Sequence, residues 1–217
     1  MTILVTDPMD EGKNITLILA HGAGAPMDSE FMEEVAQLYS SLGIKVIRFE
    51  FPYMAERRDT GKKRPPDRAP KLVAHWKAVA EQVLKEIKGP CFVGGKSMGG
   101  RMSTMLLAEH DLPIKGSVCF GYPYHAPGKP EKVRDAHFAD VEQPILILQG
   151  ERDAFGTKDE VMSYTTYPGV EHHWLKDGNH DLKPRKASGV THEENIKEAV
   201  IVSSQWMANI TDGEEVS

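Results

Sequence analysis

The chain has 217 residues, 40% of them hydrophobic and 27% charged, which suits one globular domain over residues 1–217. Its net charge of −6 argues against nucleic acid as a partner. We expect no membrane partner, because no apolar run approaches the ~20 residues of a membrane-spanning helix. We also expect no signal peptide, because residues 1–8 carry Asp7 and no basic residue.

Strands and helices are predicted to alternate along the chain, since short apolar runs are followed by apolar residues at helical spacing. The predicted strands cover residues 3–5, 14–20, 44–51, 91–93, 114–120, 144–149 and 170–175. The predicted helices run from the N-cap Asp28 to the stop at Gly43, from 72 to 87, onward from Ser97, from 158 to 164, and from the capping box at Thr191 to about Ala208.

Two other segments are expected to be irregular. Residues 52–70 are predicted to form a proline-rich basic loop, and the residues from about Thr211 to form an acidic tail that frays. Cys91 and Cys119 lie in apolar strand-like runs, so we expect two free buried thiols rather than a disulfide. Free thiols are typical of a reducing compartment, so we expect a cytoplasmic protein. The alternation as a whole predicts the α/β class, with a mostly parallel sheet covered by helices on both faces.

The segment Gly95-Lys96-Ser97-Met98-Gly99 matches the pattern G-x-S-x-G between a predicted strand and a predicted helix. In this pattern a sharp turn lifts the serine hydroxyl out of the sheet, and the crowded turn favours glycine on both sides. The motif alone is weak, but its position between strand and helix strengthens it. Ser97 is therefore the predicted nucleophile.

A serine nucleophile needs a base and an acid that orients the base. Asp153 follows the strand at 144–149 and is the predicted acid; its alternative role is to cap the next helix. His180 follows the final strand and is the predicted base, with Gly178 letting its loop fold back. The rival acids are Asp159 and Asp177, and the rival bases are His172 and His173, which lie inside a strand pattern.

The segment His21-Gly22-Ala23-Gly24 follows the strand at 14–20, and its small residues let backbone N–H groups approach a ligand. We predict that the N–H groups of Ala23 and Met98 form an oxyanion hole. The alternative is a phosphate loop. The segment lacks both common nucleotide-binding patterns, so this alternative is disfavoured.

The order His-Gly-x-Gly, Gly-x-Ser-x-Gly, Asp, His resembles the α/β-hydrolase superfamily from about Asn14 to Ala208. Residues 94–101 and 121–130 are similar, more narrowly, to a bacterial branch related to testis-expressed protein 30 and dienelactone-hydrolase-like proteins. The resemblance implies a single-domain hydrolase fold and a triad of Ser97, Asp153 and His180. Dienelactone hydrolases proper carry a cysteine nucleophile, so their substrate is not carried over. About twenty residues separate Phe120 from the next strand, so no large cap domain is expected.

Side chains expected to line the substrate pocket are His21, Gly22, Lys96, Tyr122, Tyr124 and His125, with loop packing as the alternative role of the last three. The basic segment 53–71 follows a strand and is predicted to overhang the same edge. Such charge runs are usually solvated surface. The alternative is recognition of an anionic substrate or an acidic partner.

We therefore expect a serine hydrolase that cleaves a small-molecule ester or thioester through an acyl-enzyme, with no metal and no organic cofactor. One alternative is a catalytically silent protein of the same fold that acts as a binding or scaffold module. Another is a hydrolase that removes acyl groups from proteins. The sequence leaves the oligomeric state open.

Overall fold

Apolar strands alternate with amphipathic helices in the computed structural model, which describes residues 2–9 and 13–214. The seven strands of the described sheet are β1 (Ile3–Thr6), β2 (Thr16–Ala20), β3 (Lys45–Phe49), β4 (Cys91–Lys96), β5 (Ser117–Phe120), β6 (Ile145–Gly150) and β7 (Val170–Leu175). The α-helices are α1 (Glu30–Ser41), α2 (Pro52–Thr60), α3 (Ala69–Leu84), α4 (Met98–Glu109), α5 (Lys158–Val161) and α6 (His192–Glu214). Short 3-10 helices lie at Ala136–Asp140 and Lys186–Ser188.

The strands form one sheet in the order β1-β3-β2-β4-β5-β6-β7. Strand β1 runs antiparallel to β3, and the remaining neighbours are parallel. The central strands β2 and β4 are buried at every position. Such continuous burial is typical of parallel strands whose two faces are both covered by helices. The predicted α/β class and mostly parallel sheet are therefore confirmed.

Each face of the sheet has its own core. On one face, side chains of α1 and α6 pack with alternate residues of the central strands, Leu17 and Phe92 among them. On the other face, α3 and α4 pack around Trp76 and Val93. Burial of this apolar surface supplies most of the driving force for folding. A third, smaller cluster lies toward the β5–β6–β7 end of the sheet and is rich in aromatic side chains.

Parallel strands place the residues that follow them at one edge of the sheet. His21 follows β2, Ser97 follows β4, and the loops that hold Asp153 and His180 follow β6 and β7. Within the described ranges, residues 121–144 between β5 and β6 hold one 3-10 helix and no inserted domain, as expected for a fold without a cap.

Several predicted elements begin or end up to three residues from the observed bounds, and three further local predictions differ from the structure. Residues 52–60 form helix α2 rather than loop, with proline at the first helical position and Gly61 in the left-handed conformation at its end. Asp28 does not cap α1, because the helix begins after Ser29 and the Asp28 carboxylate pairs with Arg58.

The third difference concerns the C-terminus, where α6 continues to Glu214 and so includes Thr211; residues 215–217 of the predicted tail lie outside the described residues. The Thr191 capping box is present, with its two reciprocal hydrogen bonds to Glu194. Cys91 and Cys119 are free and buried, as predicted. None of the described helices is both long and apolar enough to span a membrane.

Candidate active site

Ser97 lies at the tip of the turn between β4 and α4, with φ 52° and ψ −114°. This left-handed region is strained for a residue with a side chain. The turn is also crowded. A Cβ atom on Gly95 would be 2.6 Å from the carbonyl oxygen of Ala20, and one on Gly99 would be 2.7 Å from that of His21. The two glycines of the motif are thus required by the close approach of β2 to the turn.

His180 reaches Ser97 from the loop after β7. Its Nε2 atom is 2.8 Å from Ser97 Oγ, and its Nδ1 atom is 2.8 Å from Asp153 Oδ2. The ring of Phe155 stacks on the imidazole, with centroids 4.1 Å apart. The side chain of His180 keeps 19% of its surface exposed, so part of it remains accessible to solvent.

Asp153 is completely buried, in the loop after β6. Its Oδ2 atom accepts one hydrogen bond from the Gln149 side chain at 3.0 Å, and its Oδ1 atom accepts one from the backbone N–H of Phe155 at 2.8 Å. These donors compensate for the loss of water around a buried carboxylate. They also fix the face that the carboxylate turns to His180.

A cavity of about 330 Å³ opens beside Ser97 and His180. Its walls are mainly apolar and come from the loop after β2, the start of α1 and Phe155. Phe31 and Met32 supply the wall from α1, and Lys96 supplies a basic group. This volume is at the lower end of the range for small-molecule sites, which suits a small ligand.

The loop Gly22-Ala23-Gly24 lines the same cavity and is anchored from behind. Its three consecutive carbonyl groups accept hydrogen bonds from His21 Nδ1 at 2.7 Å, Tyr53 Oη at 2.9 Å and Arg57 Nη1 at 3.1 Å, respectively. Met98, on the other side of Ser97, is the first residue of α4, where backbone N–H groups have no intrahelical partner.

His21 supports this loop from inside the protein. It is fully buried, and its Nε2 atom accepts a hydrogen bond from the backbone N–H of Phe51 at 3.1 Å. The proton is therefore on Nδ1, which donates to Gly22. Burial lowers the pKa of His21, so the ring is neutral near pH 7. Of the predicted pocket residues, Gly22 and Lys96 line the cavity and His21 lies behind it.

The other three predicted pocket residues, Tyr122, Tyr124 and His125, do not line the Ser97 cavity. Tyr122 is buried and donates to the carbonyl of Arg134. Tyr124 bonds to His172, and His125 is buried with its Nδ1 on the carbonyl of Ala126. The chain turns after β5 toward the aromatic cluster, so Tyr122 and Tyr124 pack there instead of lining the cavity.

The basic segment 53–71 flanks the site through α2 but does not line the cavity. Three of its arginines bond within the protein, and one of them, Arg57, donates to the carbonyl of Gly24. Arg58 binds both Glu50 and Asp28, and Arg64 binds Glu56 and Asp67. Within the described part of the chain, Lys96 is the only lysine or arginine in the cavity wall.

The rival residues lie elsewhere. Asp177 is bound by Arg185 and Arg152, and Asp159 is exposed in α5. His172 contacts Tyr124, and His173 pairs with Glu198 on α6. No group of three or more His, Cys, Asp or Glu side chains within residues 2–9 and 13–214 is arranged to hold a metal ion.

Several contacting residues were not anticipated from the sequence. Gln149 is a fully buried polar residue at the end of a strand, which is a signal for a hydrogen-bonding role. Phe155, Tyr53 and Arg57 carried no such signal, because their roles depend on how distant loops meet.

Comparison with known proteins agrees with this architecture. A family model described as an alpha/beta hydrolase domain matches residues 13–208. A Coxiella burnetii alpha-beta serine hydrolase homologue is 18% identical, with a TM-score of 0.68 and coverage of 94% of this chain and 89% of that one. Est1E from Butyrivibrio proteoclasticus is 14% identical, with a TM-score of 0.68 and coverage of 96% and 93%.

A Xanthomonas campestris serine hydrolase described as lacking a lid is 20% identical, with a TM-score of 0.66 and coverage of 96% of this chain and 86% of that one. At these identities the structural matches establish the fold. The family model covers most of the chain, and it matches the segment that carries the strand order, the serine turn and the histidine loop. The chain therefore belongs to the alpha/beta hydrolase domain family.

Proposed function

We propose that the protein is a serine hydrolase that cleaves small esters or thioesters through an acyl-enzyme. The observation that carries this proposal is the unbroken chain of contacts from Ser97 Oγ to His180 to Asp153, with 2.8 Å at each step. A serine hydroxyl alone is a poor nucleophile near neutral pH, and this arrangement supplies the base that it lacks.

In the proposed reaction His180 Nε2 takes the proton of Ser97 as Oγ attacks the carbonyl carbon. Asp153 holds the proton on Nδ1 and stabilises the imidazolium. The developing oxyanion accepts hydrogen bonds from the N–H groups of Met98 and Ala23. His180 then returns its proton to the leaving alcohol or thiol, which leaves the acyl group on Ser97.

In the second half, His180 removes a proton from water, and the resulting oxygen nucleophile attacks the acyl carbon. The second tetrahedral intermediate collapses when His180 protonates Ser97 Oγ, which releases the carboxylic acid. The hydrogen-bonded carbonyls of residues 22–24 support Ala23 as an oxyanion-hole donor. A loop that is fixed in this way does not have to reorient its N–H group during the reaction.

The cavity favours a short, uncharged acyl group. Its volume of about 330 Å³ is small, and Phe31, Met32 and Phe155 make its walls apolar. The one lysine of the wall, Lys96, lies 3.3 Å from the Asp181 carboxylate, so little net positive charge remains for an anionic substrate. Among the neighbours, an Est1E structure holds ferulic acid, an observation that concerns that protein alone.

The test is a hydrolysis screen of the purified protein against p-nitrophenyl esters from acetyl to lauroyl and against the matching acyl-CoA thioesters. We expect turnover that is highest for short acyl chains and that disappears in Ser97→Ala. A folded protein that hydrolyses none of them would overturn the proposal in favour of a silent scaffold. Equal activity in Ser97→Ala would remove the serine from the mechanism.

A further inference from the structure

A second cavity lies at the β7 side of the sheet, between the 3-10 helix Ala136–Asp140 and α5. Its volume is about 90 Å³, and it shares no lining residue with the Ser97 cavity. That is room for roughly three water molecules at ~30 Å³ each. The cavity can therefore hold a compact chemical group but not a whole drug-sized ligand.

Four of the side chains that line this cavity are aromatic rings: Tyr124, Phe138, Tyr164 and Tyr167. The rings of Tyr124 and Tyr164 are 5.8 Å apart, and those of Phe138 and Tyr167 are 5.6 Å apart and nearly perpendicular. Ring faces carry negative electrostatic potential, so several rings around one space attract a cation.

The same wall contains a carboxylate, Asp135, which is only 8% exposed. In the part of the chain that the structure describes, no lysine, arginine or histidine forms an ion pair with it. Burial raises the pKa of Asp135, which reflects the cost of a charge without a counter-ion. A buried acid among aromatic side chains is poorly compensated by the protein itself.

Among the residues that the structure describes, His172 is the one basic side chain of the wall, and it does not supply that counter-ion. His172 bonds to Tyr124 Oη at 2.5 Å, and burial lowers its pKa to about 4, so it is neutral near pH 7. The Tyr164 hydroxyl is buried and has no hydrogen-bond partner within the described residues. The cavity thus has unsatisfied polar capacity as well as unbalanced negative charge.

We propose that this cavity binds the methylated ammonium group of a small organic cation. A primary ammonium or a guanidinium would bring three or five N–H donors, and the single carboxylate and the rings cannot satisfy them all. A methylated ammonium has few or no N–H groups, presents methyl groups to the rings and keeps its positive charge for Asp135. The remainder of the ligand would extend past the exposed Met162 at the mouth.

Calorimetric titration of the full chain with choline, and with 3,3-dimethyl-1-butanol as an uncharged molecule of the same shape, tests this proposal. We expect choline to bind and the alcohol to bind about tenfold more weakly, or not at all, because the rings and the Asp135 carboxylate attract the positive charge that only choline carries. Equal binding of the two molecules, or no choline binding at millimolar concentration, would overturn the proposal.

Variants locate the binding site. Asp135→Asn should weaken choline binding about tenfold, and Tyr164→Leu severalfold. Asp140→Asn is the matched control, because Asp140 is an exposed carboxylate on the adjoining 3-10 helix and is not in the cavity wall. Unchanged binding in folded Asp135→Asn would contradict the assignment. If that variant does not fold, Tyr164→Leu and the comparison of the two ligands decide the matter.

Discussion

The Lys96 ammonium donates a hydrogen bond to the backbone carbonyl of His180. Lys96 directly precedes Ser97, so this contact joins the turn that carries the hydroxyl to the loop that carries the imidazole. The pKa of Lys96 is lowered, because the effect of burial exceeds the opposing effect of the nearby Asp181 and Asp153 carboxylates. We infer that Lys96 is a positioning residue for His180.

Lys96→Met keeps the apolar part of the side chain but removes its hydrogen bond to the His180 carbonyl. We expect kcat for a neutral ester to fall about tenfold while KM changes little, because a misaligned base affects the chemical step more than binding. Steady-state kinetics, with a melting curve to verify folding, make the measurement. Lys158→Met, which removes a lysine that is half-exposed and pairs with Glu151, is the control. Unchanged kcat, or a higher KM for anionic esters alone, would instead favour a role in substrate recognition.

Asp153→Asn should keep the fold and reduce kcat by about 10⁴, the loss seen when the acid of a serine protease triad is changed in this way. The amide no longer holds the proton on Nδ1 of His180 or stabilises the imidazolium. Asp159→Asn, in the exposed face of α5, is the matched control and should keep its activity. Near-full activity in Asp153→Asn together with an inactive Asp177→Asn would show that the acid is assigned to the wrong residue.

Asp177 is expected to act on stability rather than on catalysis. Arg185 and Arg152 contact its carboxylate, and hydrogen bonds from Arg185 lower its pKa to about 2. A lowered pKa in the folded state means that the stabilisation is present above the ordinary value of 3.8 and is lost as the pH falls toward 2.

Asp177→Asn should therefore lower the melting temperature at pH 7, and the difference from the unchanged protein should shrink as the pH approaches 2. Thermal melts at several pH values make this measurement. A difference that stays constant between pH 7 and pH 2 would mean that the charge of Asp177 is not the stabilising feature.

Gly99→Ala should destabilise the protein by roughly 1–3 kcal/mol, the usual cost of overpacking, because the new methyl group would meet the His21 carbonyl oxygen at 2.7 Å. Gly213→Ala is the control, since a Cβ atom there meets nothing within 4 Å. That change should be neutral or stabilising, because alanine favours helix by up to ~1 kcal/mol over glycine. Equal denaturation midpoints for the two variants would contradict the crowded-turn account.

The positions of the strands along the chain and the serine turn could be predicted from the sequence because both depend on local patterns. Apolar runs mark the strands, and Gly95 and Gly99 mark the turn. Helix α2 also had local signals in Pro52 and Gly61, but the charges of the segment favoured a loop.

Other features depend on tertiary contacts and could not be predicted in this way. Arg58 draws Asp28 away from the role of a helix cap, and this pairing crosses from α2 to the start of α1. Tyr122 and Tyr124 follow a strand at the correct edge, but the path of their loop takes them into the aromatic cluster. In the histidine loop Asp177 and Leu182 adopt the left-handed conformation, with φ 52° and 62°, although the sequence places the bend at Gly178.

The most direct test of the proposed catalytic role is covalent labelling of the folded protein with a fluorophosphonate. Ser97 Oγ should displace fluoride and form a bond to phosphorus, because His180 removes its proton and the N–H groups of Met98 and Ala23 hold the phosphoryl oxygen. Mass spectrometry should find the label on tryptic peptide 97–101, whose one serine is Ser97. Ser97→Ala should melt like the unchanged protein and take up no label. A folded protein that remains unlabelled over hours, or carries the label on another serine, would contradict the account.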